Sequence, residues 1–293
     1  MWLVFALLSA LLWTGVSLYD RFSVKCVFTR PAQGLFISAL FSGFGFLVFP
    51  FVEWSIPETD IAGMAVLAGL LMQFAQYSYF HALQDEEVGK VTAVGAAYPV
   101  AVGLAAIPLG KLLTAWQWSG VLLIVGSVVA MEGVRTRRVV RKSVAYLAGY
   151  VGGLSGSAIL LSDILEVVNF WSAFGPYCLG LILGGLFPFA LSRKERKSLL
   201  EAWPALQRAL WQLGMVEVVN VAALGCEVYA LSLGHPALVT AAASTEPAWV
   251  FLLANCLGQF PLFRGSIERV EKIYYKIFLV TLSAVGLGLL VWE

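Results

Sequence analysis

The chain has 293 residues, 60% of them hydrophobic and 13% charged, and a net charge of +1. A soluble domain carries about a quarter charged residues, so this composition excludes an ordinary water-soluble domain and places the chain in a bilayer.

Ten apolar stretches are long enough to cross roughly 30 Å of hydrocarbon as helices. They are continuous, whereas the strands of a membrane β-barrel alternate apolar and polar residues over about ten positions. The first, Trp2–Tyr19, sets Trp13, Ser17 and Asp20 on one face. It lacks the basic leader of a signal peptide, because Arg21 and Lys25 follow it rather than precede it. Gly34–Val52 is the second. The third, Ile61–Leu83, contains Gln73, Gln76, Tyr77 and Tyr79, a run too polar to face lipid and expected to line a cavity. Val88–Pro108 holds Pro99 mid-span, and Leu113–Met131 completes a first group of five.

After a basic stretch come Val144–Leu165, with Ser155, Ser162, Asp163 and Glu166 toward its end, and Phe170–Leu191. The eighth span, Leu206–Leu233, places Glu217, Asn220, Leu224 and Glu227 on one helical face, so that two carboxylates and an amide share an interior cleft. An ionisable group at mid-membrane costs about 2.5–3.5 kcal/mol on insertion scales and marks a substrate or proton pathway by default. The ninth span, Pro236–Leu257, contains Glu246 against Pro247, with Trp249 just beyond as a candidate aromatic wall. Proline lacks an amide hydrogen and disfavours helical geometry in the residue before it, so the ninth span is expected to loosen there. A structural or gating role is favoured for Glu246, Pro247 and the matching Pro99. Ile273–Trp292 is the tenth span.

A shift of 148 positions lays residues 79–110 on 227–258 without a gap, pairing Pro99 with Pro247 and Leu109-Gly110 with Leu257-Gly258. Such an echo is the mark of a duplication. Five spans per copy is an odd number, so the second copy enters the membrane from the opposite side. The expected fold is therefore an all-α membrane protein of ten transmembrane helices, arranged as two inverted five-helix repeats. Residues 1–133 form the first repeat, 134–143 a basic linker and 144–293 the second.

Eighteen of the nineteen Lys and Arg residues fall in or beside odd-numbered connections; Lys111 alone falls on the other side. The positive-inside rule then puts the odd connections in the cytoplasm and both termini outside, in a plasma (inner) membrane protein. The basic stretch "VRTRRVVRK" reads as a topology anchor and linker, and no nucleic-acid partner is expected. The four cysteines are scattered with no metal-ligand or disulfide spacing, and neither a metal nor a cofactor is expected.

Three stretches carry a family likeness: the early tryptophan of "LLWTGVSLY", the run from "YSYFHAL" through "AAYP" to "PLGKLLTAWQWSGVLLIVGSVV", and its second copy "CEVYALSLGHPALVTAAASTEPAWVFLLANCLG". They resemble the drug/metabolite transporter superfamily, in particular its EamA-type ten-helix carriers. That resemblance implies a central cavity and export or exchange of small metabolites, amino acids or drugs, often coupled to protons. It also implies cytoplasmic termini, opposite to the charge count, and L-G-E where this chain has Leu109-Gly110-Lys111.

Two other classes compete. "GLSG" at 153–156 looks like the serine motif of a rhomboid protease, but such a serine needs a histidine base, and the glycines at 149, 152, 153 and 156 also suit close helix packing. A passive channel needs a filter or a ring of like charges, and no such pattern is present. The reading adopted is a secondary carrier in the lipid bilayer, for a small-molecule substrate exchanged against protons. Glu227 and Glu217 neutralise a cationic or zwitterionic group, and a homodimer is an allowed assembly.

Overall fold

The computed structural model describes residues 1–86, 91, 94–131, 141–258 and 273–292. Every regular element among them is helical. In chain order these are α1 (Trp2–Cys26), α2 (Pro31–Ser42) continued by a tighter 3-10 stretch (Gly43–Phe51), α3 (Thr59–Asp85), α4 (Tyr98–Ala106) and α5 (Ala115–Met131). There follow α6 (Arg141–Ile164), α7 (Phe170–Leu191), α8 (Arg193–Leu231), α9 (Pro236–Ala243), α10 (Glu246–Gly258) and α11 (Ile273–Val291). Among the described residues, seven of the apolar helical stretches are long enough to cross a membrane; Trp2–Ser17, Tyr98–Leu109 and Ala115–Met131 are apolar but shorter.

Two elements differ from the sequence expectation. The eighth span begins at Arg193 rather than Leu206, giving a 39-residue helix of about 58 Å. Its start is capped: the Ser192 hydroxyl accepts from the Glu195 amide, the Ser-x-x-Glu arrangement that closes a helix N-terminus. The polar residues 193–205 then continue the helix beyond the apolar span. The ninth span is divided at Ser244–Thr245, one residue before Glu246, and the chain turns in the same way at Ala96–Ala97, 148 positions earlier. Pro99 and Pro247 each sit second in the helix that follows the turn. The carbonyl of Ala243 has no amide partner four residues on, because that residue is Pro247. The hydroxyls of Ser244 and Thr245 donate to the carbonyls of Ala241 and Ala242 at 2.8 and 2.7 Å, and the Ala242 carbonyl also accepts the Thr245 amide.

The packing repeats when the two halves are exchanged. α3 lies against α6 as α1 lies against α8; α3 meets α7 as α2 meets α8; α4 meets α6 as α10 meets α1; α5 and α11 pair with one another. α3 and α7 approach backbone to backbone where Gly69 faces Gly180. The central apolar core is shared by both halves, with Met72, Tyr98 and Val102 packed among Tyr177, Leu181, Leu224 and Val228.

Contacts between connections sort into two ends. Arg30, between α1 and α2, is ion-paired to Glu195 at the start of α8, and Gln33 donates to Ser198 nearby. At the other end, Lys111 between α4 and α5 binds Asp163 in the last turn of α6 and Glu166 just beyond it, while the imidazole of His235 before α9 bonds the Lys111 carbonyl. Gly110 turns the chain into that cluster with φ of 77°, a left-handed conformation that glycine adopts without a Cβ penalty.

Candidate functional site

The two broken spans border a cavity of about 140 Å³ between the halves. Its acidic wall is built by Asp20 from α1, Glu217 from α8 and Glu246 from the start of α10. Gln76 and Tyr79 of α3 face it, with Trp13 of α1 and Asn220 of α8. Tyr98, Tyr150, Phe80 and Ser38 complete much of the remaining lining, and no Lys, Arg or His is among the described lining residues.

Asn220 links α1 to α8. The indole of Trp13 donates to Asn220 Oδ1 at 3.1 Å, and Asn220 Nδ2 donates to Glu217 Oε2 at 3.0 Å. An indole N–H can only donate, so the amide oxygen faces the tryptophan and the amide nitrogen faces the carboxylate. Tyr98 does similar work between α4 and α8, donating its hydroxyl to Glu227 Oε1 at 3.1 Å. Glu227 is buried behind that tyrosine and is not part of the cavity lining.

The sequence-derived candidates therefore divide. Trp13, Asp20, Gln76, Tyr79, Glu217, Asn220, Glu246 and Pro247 line one cavity. Gln73, Tyr77, Trp249, Asp163 and Pro99 do not. Gln73 is buried where α3 packs against Gly184 and Gly185 of α7. Tyr77 stacks edge-on against His81, with centroids 4.4 Å apart. Trp249 is half-buried one turn into α10, and Asp163 is held by Lys111 at 2.5 Å. Helical spacing identifies a shared face but not which two positions of a turn aim at the cavity, so alternate residues of the α3 run lie outside it. The backbone bonds described at the break come from Ser244 and Thr245, and the position of Glu246 is in the cavity wall. Sequence reasoning missed Tyr98, Tyr150 and Ser38. Tyr98 was signalled by its place directly before Pro99 at the break, whereas Tyr150 and Ser38 reach the cavity only through the packing of α6 and α2.

Two groups outside the spans have shifted protonation. Burial pulls the Lys111 ammonium down, but its bonds to Asp163 and Glu166 outweigh that and hold it above the ordinary lysine range. Burial lowers the His235 imidazole below its usual value. The neutral ring fits its surroundings, with Nδ1 accepting from the Ala237 amide and Nε2 facing the Lys111 carbonyl.

Packing accounts for the glycines of "GLSG": Gly153 meets Leu71 and Ala75 and Gly156 meets Leu71, while Gly149 one turn earlier meets Ser78 and Phe74, all on α3. The Ser155 hydroxyl donates to the carbonyl of Tyr98 at 3.4 Å.

Comparison with known proteins bears on the whole arrangement. The model of the EamA-like transporter family matches residues 1–132. The likeness read from the early tryptophan and the "AAYP" region is thus borne out, and with it an integral membrane protein of a transporter family. A solved structure described as "Crystal structure of protein" superposes with a TM-score of 0.71 at 15% identity, covering 98% of this chain and 96% of its own. At that identity the likeness concerns fold alone. No curated protein matches the sequence.

Proposed function

We propose that this EamA-like protein is a secondary active carrier that binds a small cationic or zwitterionic solute in the central cavity and exchanges it for protons. The observation that carries this reading is the cavity wall itself: three carboxylates, Asp20, Glu217 and Glu246, with no cationic side chain among the described lining. Each carboxylate in an enclosed site is neutralised either by a proton or by a bound cation, and competition between the two couples their movements. A cavity of roughly 150 Å³ takes a benzene ring, so the solute is small, on the order of six non-hydrogen atoms at its enclosed end. Glu227, bonded to the cavity residue Tyr98, is the second exchange group.

The ten spans act as two inverted five-helix repeats joined by the basic linker near 134–143, most of which lies outside the described residues. The exchange-symmetric contacts and the paired breaks 148 positions apart support this reading. Alternating access follows from rocking one repeat against the other around the cavity. The odd connections face the cytoplasm, as the basic residues indicate.

Purified protein in proteoliposomes tests the proposal with a panel of small amines and amino acids. Saturable uptake, counterflow and acceleration by a pH gradient are expected, together with an altered pH dependence in Glu217→Gln. Flux that neither saturates nor shows counterflow refutes the carrier. A Glu217→Gln variant that transports with the wild-type pH profile removes Glu217 from proton exchange.

A further inference from the structure

Given the carrier reading, one end of the transport path is shut in this structure, and we infer that the Lys111 cluster is the latch that holds it, parting whenever the cavity opens to that side. The position of the cavity is the first observation. Its wall runs from mid-span toward the end of the bundle that carries the odd connections: Trp13 and Asp20 lie in the later half of α1, Gln76 and Phe80 in the later half of α3, and Tyr150 in the earlier half of α6. Toward the Lys111 end the space between the halves is filled. Val102, one turn beyond Tyr98 on α4, shares a core with Leu161 of α6 and with Leu224 and Val228 of α8, and none of the four is more than 2% exposed. A solute leaving by that end must therefore part α4 of the first half from α6 and α8 of the second.

Beyond this plug, Lys111 fastens the α4–α5 connection to the second half at two places. Its ammonium donates to Asp163 Oδ1 at 2.5 Å and to Ser162 Oγ at 3.0 Å, and stands 2.9 Å from Glu166 Oε1. Its carbonyl faces His235 Nε2 at 3.2 Å, immediately before α9. The lysine side chain is 16% exposed, whereas those of Asp163 and Glu166 are 41% and 65% exposed. Three oxygens at one end of α6 thus close over a lysine delivered from the other half, while the two acids keep their contact with water. An ion pair of that kind is weak, because the released carboxylates recover their hydration. Weakness suits a latch: a contact that favoured one conformer by many powers of ten would trap the carrier in it.

The test measures how readily the plug is exposed, on the full chain in detergent. Val102→Cys and, in a separate protein, Val228→Cys are treated with a trimethylammonium methanethiosulfonate, and labelling is followed by mass spectrometry of the peptide that holds the new cysteine. The cavity end is accessible in this structure while both positions stay buried, so added labelling reports the Lys111 end. Lys111→Met is expected to speed labelling roughly three- to fivefold, the range a solvent-exposed ion pair can supply. The double variant Asp163→Asn with Glu166→Gln should do the same with the lysine kept, which preserves the test if Lys111→Met fails to fold. Lys111→Arg should label as slowly as the parent, and Val128→Cys, buried toward the far end of α5, should be unaffected by Lys111→Met. Unchanged labelling at both plug positions overturns the latch, as does equally fast labelling in Lys111→Arg or an equal rise at Val128→Cys, which would show general loosening. Counterflow in proteoliposomes separates the two claims. Faster plug labelling without counterflow of any amine or amino acid removes the carrier and leaves a latched end; counterflow with unchanged labelling leaves the carrier and removes the latch.

Discussion

The close approach of α3 and α7 provides a quantitative test, because it sets where Gln76 and Tyr79 stand in the cavity wall. A Cβ added at Gly69 would lie 2.2 Å from the Tyr177 carbonyl oxygen and 2.9 Å from the Gly180 Cα. Carbon and oxygen in favourable contact stand about 3.3–3.6 Å apart, so Gly69→Ala must push the two helices apart by roughly 1 Å. Both contacts are backbone, and no side chain can rotate away to relieve them. A gap of 0.5–1 Å forfeits about a quarter to a half of each dispersion contact along the interface, which includes the buried Met72, Tyr177 and Leu181. Overpacking typically costs about 1–3 kcal/mol, and a backbone clash belongs at the upper end. Alanine returns up to about 1 kcal/mol in helix propensity, leaving a net loss of about 2 kcal/mol. The control is Gly63→Ala on the same helix, where nothing lies within 4 Å of the added Cβ and only the propensity gain applies. At roughly 2–4 °C per kcal/mol, Gly69→Ala should melt about 4–8 °C below wild type and Gly63→Ala at or slightly above it. Thermal unfolding in detergent followed by circular dichroism measures both. Melting of Gly69→Ala within about 1 °C of Gly63→Ala would refute the close packing on which the position of α3 depends.

Two further outcomes concern the end of the bundle that carries Lys111. Lys111→Met is expected to cost on the order of 1 kcal/mol, because Asp163 and Glu166 stay in contact with solvent and need no replacement partner. A loss of several times that amount in thermal unfolding would refute this account. Because its folded pKa is raised, the contribution of Lys111 persists through neutral pH and fades only as pH climbs beyond 10.5. His235 acts in the opposite direction. Its folded pKa is lowered, so the unfolded chain takes up the proton first and wild-type stability declines as pH falls below about 6.5. His235→Asn retains a cap for α9 and should flatten that acid limb of the melting curve; an unchanged limb removes His235 as its source.

The legibility of this molecule differs from residue to residue. The spacing of Glu217 and Asn220 put them on one face of one helix, and they do face the cavity together, because a 3.6-residue period is a local property. Glu227 shares that period but is separated from the cavity by Tyr98, a residue from another helix in the opposite half. Gln73 and Gln76 are three residues apart on α3, yet one packs against α7 and the other faces the cavity. The polar start of α8 was missed because apolar length marks only the part of a helix that lipid covers. Its signal was the Ser192–Glu195 cap.

Residence in a bilayer, helical secondary structure, the span order and the breaks before Pro99 and Pro247 are all determined by the amino-acid sequence. Each follows from hydrophobic length, backbone hydrogen bonding or the missing amide of proline, which act within one segment. Which carboxylates meet, which tyrosine covers Glu227 and what partners Lys111 were decided by tertiary packing. The bonds Trp13–Asn220, Tyr98–Glu227 and Lys111 to Ser162 and Asp163 join residues from 51 to 207 positions apart, and only the crossing of helices from the two halves brings those pairs within bonding distance.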